Sequence, residues 1–422
     1  ASADFDVEFT TFLGAKRETD SDVNDQVADI LREVRHHGDQ AVTDYTNRFD
    51  RFDLAETGMR FSAQEISNAR NNCHEETLQA LELAAHRIKD YHVRQLPENI
   101  DYTDDQGVRL GYRWNAVEAA GLYVPGGTAS YPSSVLMNAI PAHVAGVDRL
   151  VMVVPTPDGK PNPLVLAAAH IAGIDEIYRI GGAQAIAALA YGTETIKAVD
   201  KIVGPGNAYV ATAKRQVFGT VGIDMIAGPS EILVVADGAN DASWIAADLL
   251  SQAEHDTNAQ AILVTDSSEF STRVCEAVEG HLKTLPRSEM ARESWDTYGA
   301  IIIVEDLKEA VSIVDAIAPE HLELAMDDAH EFALGIRNAG SIFLGRHTPE
   351  AIGDYIAGPN HVLPTARSAR YSSGLGVLDF MKRTSFIGCD HGALSNIGPA
   401  ASMLAKAEGL DAHALSIDIR LN

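Results

Sequence analysis

Apolar residues recur at helical spacing in a polar background from about residue 20 to residue 95, with Val27, Ile30, Leu31 and Val34 as one stripe. This predicts a helical N-terminal layer. The pattern changes between Val108 and Val124, where the β-prone runs VRLGYRW and VEAAGLYV precede the glycine-rich PGGTASYPSS and an apolar helical segment from Val135. That order reads as strand, loop, helix. The alternation continues through RLVMVV, a helix over LVLAAAHIAG, EIYRI, the segment GGAQAIAALA, DKIV, GPGN and a helix from Ala208. A second run follows with EILVVAD, a helix from Asp241 to about His255, AILVT, a helix near 270–283, AIIIVED and SIFLG.

Strands alternating with helices build βαβ units around mostly parallel sheets, so the pattern predicts an α/β fold with two lobes. The join falls near Gly228-Pro229-Ser230. After about Gly374 strand signals thin out, and a helical stretch from Pro399 to Gly409 and a β-like tail close the chain. The expected organisation is an N-terminal arm (1–20), a large α/β domain (21–122 plus 230–374), a second α/β domain (123–229) and a C-terminal segment (375–422). No internal repeat or low-complexity tract interrupts it.

Charge narrows the function classes. Lys plus Arg number 33 against 60 for Asp plus Glu, a net charge of −27, and such a surface repels nucleic acid and anionic membranes. An anionic cofactor then needs a local positive field. The longest stretch without Asp, Glu, Lys or Arg, Ala119 to Val147, is long enough to span a bilayer. Pro125, Pro132 and Pro141 with four glycines break it, so it is not read as a membrane helix. Cys73, Cys275 and Cys389 form no CxxC pair, which argues against a disulfide framework and a thiolate zinc cage. The start, ASADFDVEF, lacks the basic and apolar regions of a secretory signal. A cytoplasmic location is expected, and an organellar leader removed upstream of Ala1 is compatible with it.

No GxGxxG follows any of these strands. PGGTAS (125–130) and GPGN (204–207) nevertheless lie between a strand and a helix, where unpaired amides and the helix dipole favour a phosphate. Singly, each loop is better explained as turn chemistry, and two such loops in one lobe strengthen the phosphate reading. The helix ending in SQAEHD sets Gln252 and His255 three residues apart on one face, suited to one metal or to a surface arrangement. Asp354 and His361 lie in the loop-rich IGDYIAGPNHVLPT, and His413 follows Glu408 by five residues in EGLDAHALSI. Imidazole plus carboxylate oxygen suits zinc without thiolates. Pro319-Glu320-His321 is read as opening an apolar helix, HLELAM. A helix N-terminus there would keep His321 neutral and able to accept a proton.

Taken in chain order, GLYVPGG, GGAQAIAALAYGTE, KIVGPGN, DMIAGPSE, LLSQAEHD, PEHLE, GDY, NHVLPT and EGLDAH resemble the histidinol dehydrogenase family over nearly the whole chain. The resemblance implies two incomplete Rossmann-like lobes with small N- and C-terminal helical extensions in an intertwined homodimer, where segment 375–422 completes the partner's site. It implies zinc on Gln252, His255, Asp354 and His413, and NAD near Tyr123, Gln184 and Asn207. Glu320 and His321 become the acid/base pair, and Ser230, His361 and Glu408, with Gln252, His255, His321, Asp354 and His413, line the substrate. The implied activity is oxidation of L-histidinol to L-histidine through L-histidinal with two NAD⁺, the last step of histidine biosynthesis. Two other readings stand beside it. One is a dehydrogenase for another polar alcohol; the other is a binding paralogue without catalysis, against which the intact Glu320, His321 and zinc set argue.

Overall fold

A computed structural model describes residues 5–14, 21–126, 131–226 and 228–421. The chain first makes an antiparallel pair, β1 (Ile100–Thr103) and β2 (Arg109–Ala116). It then builds a five-stranded sheet from β3 (Ala119–Tyr123), β4 (Arg149–Val153), β5 (Glu176–Tyr178), β6 (Lys201–Val203) and β7 (Gly222–Ile223). A second five-stranded sheet follows from β8 (Glu231–Ala236), β9 (Gln260–Thr265), β10 (Ala300–Ile303), β11 (His321–Ala325) and β12 (Ser341–Leu344). Finally β13 (Met381–Gly388) returns to pair antiparallel with β2.

Both large sheets are parallel throughout, in the orders β5-β4-β3-β6-β7 and β10-β9-β8-β11-β12. Counted within each lobe the order is 3-2-1-4-5, the doubly wound order short of one strand. Helices cover both faces, and strands buried on both sides read as continuous apolar runs. In β8 every position is buried: Ile232 and Val234 join one core, while Leu233 and Val235 join the core on the opposite face.

The N-terminal helices dock on the first sheet's helices. Helix Ser21–Asp50 packs on Gly182–Tyr191 and Ala208–Val217, and helix Glu75–Val93 packs on Pro132–Ala145. The expected grouping placed 21–122 with 230–374. In the structure Val27, Ile30, Leu31 and Val34 share a core with Ile186, Leu189 and Val210, and β3 is the central strand of the first sheet.

Three sequence readings are corrected. Segment His321–Ala325 is a central strand, not the start of a helix. All five of its residues are buried, and the alternation of His321 and Glu323 with Leu322 and Leu324, a strand period, runs over too few residues to separate the two states. The C-terminal tail, read as β-like, is helix Asp411–Asp418. The preceding helix starts at His391 rather than Pro399, because Asp390 caps it by accepting the Ala393 N–H at 2.8 Å. Strand β13 gave no signal because it is largely exposed and lacks apolar alternation.

Candidate active site and cofactor crevice

The parallel pairing of β8 with β11 puts Ser230 and Glu320, the residues preceding those strands, at the same edge of the second sheet. One peptide organises the pair that follows. The Glu231 N–H donates to Glu320 Oε2 at 2.9 Å, and the Glu231 carbonyl accepts from His321 Nδ1 at 2.9 Å. A carbonyl only accepts, so the proton of neutral His321 sits on Nδ1 and Nε2 presents a lone pair. That Nε2 is buried without a hydrogen-bond partner and faces Glu350 Oε1 at 3.5 Å and Asp354 Oδ1 at 3.9 Å.

Burial lowers the His321 pKa, against the opposing pull of Asp354. The neutral imidazole expected from a helix dipole is therefore obtained inside a strand, by desolvation. Burial likewise raises the Glu320 carboxyl well above its ordinary value; the Glu231 N–H opposes this, and the charges of Glu231, Asp354 and Glu350 add to it.

Helix Ala242–Ala253 delivers Gln252, which is fully buried, with Nε2 donating to His255 Nδ1 at 3.3 Å and Oε1 left unpartnered. Burial lowers the His255 pKa, and the charge of Asp354 is the largest opposing the shift. Asp354 sits near the end of the short helix Glu350–Tyr355, whose next turn back carries Glu350. Sequence reading missed Glu350. It is 1% exposed, its carboxyl is raised by burial, and the available signal was its spacing of four from Asp354. Among the described residues His321, Glu350 and Asp354 offer ligand atoms within 4.8 Å of one another.

The donor set fits zinc. Orphaned Gln252 Oε1, a depressed imidazole at His255 and the Asp354 carboxylate are oxygen and nitrogen donors without thiolate. Glu408 and His413 are not gathered with them: both are exposed, and neither side chain makes a hydrogen bond or ion pair among the described residues.

His361 joins the lobes. Its Nδ1 donates to the Asp354 carbonyl at 2.9 Å, and its Nε2 accepts from Ser134 Oγ at 3.1 Å, on helix Pro132–Ala145 of the first lobe. The neighbouring Asn360 Nδ2 donates to the Met137 carbonyl at 2.6 Å. A 130 Å³ cavity lies here, lined by His321, Phe343, Asp354, His361 and Leu363 among others.

In the first lobe β3 and β6 are neighbours at the point where strand order reverses, the place where ligands of this fold settle. Tyr123 ends β3, and its hydroxyl accepts the Gly182 N–H at 3.1 Å. Gln184 is buried in helix Gly182–Tyr191. Asn207 caps helix Ala208–Val217, its Oδ1 accepting from Tyr209 and Val210 N–H at 3.1 and 3.2 Å. In the loop PGGTAS, Gly127 to Ser130 lie outside the described residues.

The family model for histidinol dehydrogenase matches residues 14–421. The chain belongs to that family. It is 65% identical to the histidinol dehydrogenase of Rhodospirillum rubrum, over 100% of this chain and 98% of that protein. It is 63% identical to that of Mesorhizobium japonicum, over 100% and 98%. The crystal structure of histidinol dehydrogenase from Elizabethkingia anophelis superposes with a TM-score of 0.94 at 36% identity, covering 98% of this chain and 96% of that one. The chain is thus an NAD-dependent oxidoreductase of histidine biosynthesis.

Proposed function

We propose that this enzyme oxidises L-histidinol to L-histidine through L-histidinal, with two NAD⁺ consumed and zinc required, as the last step of histidine biosynthesis. The observation that carries the reading is the His321 ring, bonded through Nδ1 to the Glu231 carbonyl and unpartnered at Nε2, beside buried Glu320. Nε2 accepts the hydroxyl proton as hydride leaves the alcohol carbon. The aldehyde must then be hydrated, and Glu320, as the carboxylate, takes the proton from the attacking water. Once Nε2 has released that first proton to solvent, His321 serves again as base, taking the hydrate's hydroxyl proton as hydride leaves the carbon. Burial of both groups keeps bulk water from competing.

Gln252, His255 and Asp354 would hold zinc, with His413 coming from a second copy; the metal supplies a Lewis-acidic anchor for the substrate's nitrogens, and NAD supplies the hydride acceptor. Ser230, His361 and Glu408 are assigned to the substrate, and Tyr123, Gln184 and Asn207 to NAD. Two features support a homodimer that shares its sites. Glu408 and His413 stand apart from the other site residues, and the C-terminal region exposes Ile387 (74%), Met403 (72%), Leu404 (65%) and Leu415 (60%), apolar surface that a second copy would cover. The three cysteines are free and no described helix is long and apolar enough to cross a membrane, which agrees with a cytoplasmic enzyme. The test is stoichiometric: two NADH should form per L-histidinol consumed, and a ratio of one would overturn the reading.

A further inference from the structure

The first lobe contains a buried ion pair that none of the chemistry above uses. Lys214 projects from helix Ala208–Val217 with its side chain 2% exposed, and the side chain of Asp224, just beyond β7, is 0% exposed. Lys214 Nζ and Asp224 Oδ1 are paired. Each partner also binds one residue: Lys214 Nζ donates to the Gly204 carbonyl at 2.9 Å, and Asp224 Oδ2 accepts the Gly204 N–H at 2.8 Å. Both polar groups of Gly204 are therefore held by the two ends of one ion pair.

Gly204 opens the GPGN loop between β6 and helix Ala208–Val217. Its φ of +112° lies where only glycine sits without strain, and a Cβ there would run into the Tyr123 carbonyl. The loop thus threads closely past the end of β3, and the clamp orients the two peptide units that flank the Gly204 Cα. Stability is a weak reason for such a pair, because lost hydration of two buried charges offsets most of their attraction and apolar side chains fill the same space as well. Direction is the stronger reason. A lysine and an aspartate hold a carbonyl and an amide in one orientation, which apolar side chains cannot do.

We propose that Lys214 and Asp224 are positioning residues for the dinucleotide: by clamping Gly204 they aim the GPGN loop and the first turn of the following helix at the cofactor. The inference rests on the reading that NAD occupies the carboxyl end of the first sheet. It differs from that reading in placing the decisive control on two residues that touch no ligand.

The experiment measures NAD⁺ affinity, by calorimetry on the full-length protein, for the unsubstituted enzyme, Lys214→Met, Asp224→Asn and the double variant Lys214→Met/Asp224→Leu. Thermal midpoints and KM values for both substrates are measured alongside. Lys214→Met leaves a buried carboxylate unpaired and is expected to lose stability. The double variant removes both charges and is expected to recover most of the thermal midpoint while NAD⁺ affinity stays about tenfold weaker or worse. KM for NAD⁺ should rise accordingly, with KM for the alcohol within about twofold of normal. Affinity that recovers together with stability in the double variant would overturn the proposal. So would failure of every variant to fold, which would assign the pair to the fold alone. If the unsubstituted enzyme itself binds no NAD⁺, the reading of the crevice fails, and the proposal with it; binding that is unaffected by the substitutions overturns the proposal and leaves that reading intact.

Discussion

His321 donates its Nδ1 proton to the main-chain carbonyl of Glu231 at 2.9 Å. This one bond selects the tautomer and turns Nε2 toward Asp354 and Glu350. Because the same residue's N–H donates to the Glu320 carboxylate, both members of the proposed acid/base pair are held by the Glu231 backbone. Replacing Glu231 should therefore affect the site less than replacing either partner.

Glu320→Gln should separate the half-reactions. With L-histidinal as substrate the loss in kcat should reach about 100-fold or more, the scale of general-base catalysis, while oxidation of L-histidinol to the aldehyde falls less. Equal losses, measured by single-turnover NADH formation with each substrate, would refute the division of roles.

Removing the metal should abolish turnover reversibly. His255→Asn should lose bound zinc, measured by elemental analysis, and lower kcat/KM by at least about 100-fold, more than a supporting residue would. Full metal content in that variant would show that His255 is no ligand.

The proposed shared site makes a quantitative prediction about mixtures. In a closed two-fold dimer drawing His255 from one chain and His413 from the other, a heterodimer of His255→Asn and His413→Asn has one doubly broken site and one intact site. Random exchange gives half heterodimers, so about one quarter of all sites should work. Verified heterodimers without activity would mean that both ligands belong to one chain.

Acid stability should report a second ion pair. Arg346 grips Asp237 through two bonds of 2.7 Å at the carboxyl end of the second sheet and holds that carboxyl below its usual pKa. A depressed carboxyl contributes stability that is present above its unfolded pKa and lost as pH falls through the folded one. Asp237→Asn should lower unfolding free energy by about 1 kcal/mol near neutrality, with partial exposure limiting the effect. The gap between the proteins, followed by urea denaturation, should stay constant down to about pH 5 and narrow below about pH 4. A gap that widens on acidification would contradict the assignment.

By itself the sequence determined the alternation that makes two doubly wound lobes, because strands such as EILVVA are buried on both faces and must be apolar throughout. It also identified the family, since nine ordered motifs carry more information than any one loop. Periodicity was ambiguous where the run is short: in His321–Ala325 the polar His321 and Glu323 are buried along with Leu322 and Leu324, so pairing with β8 and β12 on either hand decided its strand character. Exposed β13 left no pattern for the opposite reason. The docking of the N-terminal helices on the first lobe and the burial of Glu350 beside His321 were decided by packing between segments far apart in the chain. So was the clamp of Lys214 and Asp224 on Gly204, because which peptide a buried charge reaches depends on distances that exist only after folding.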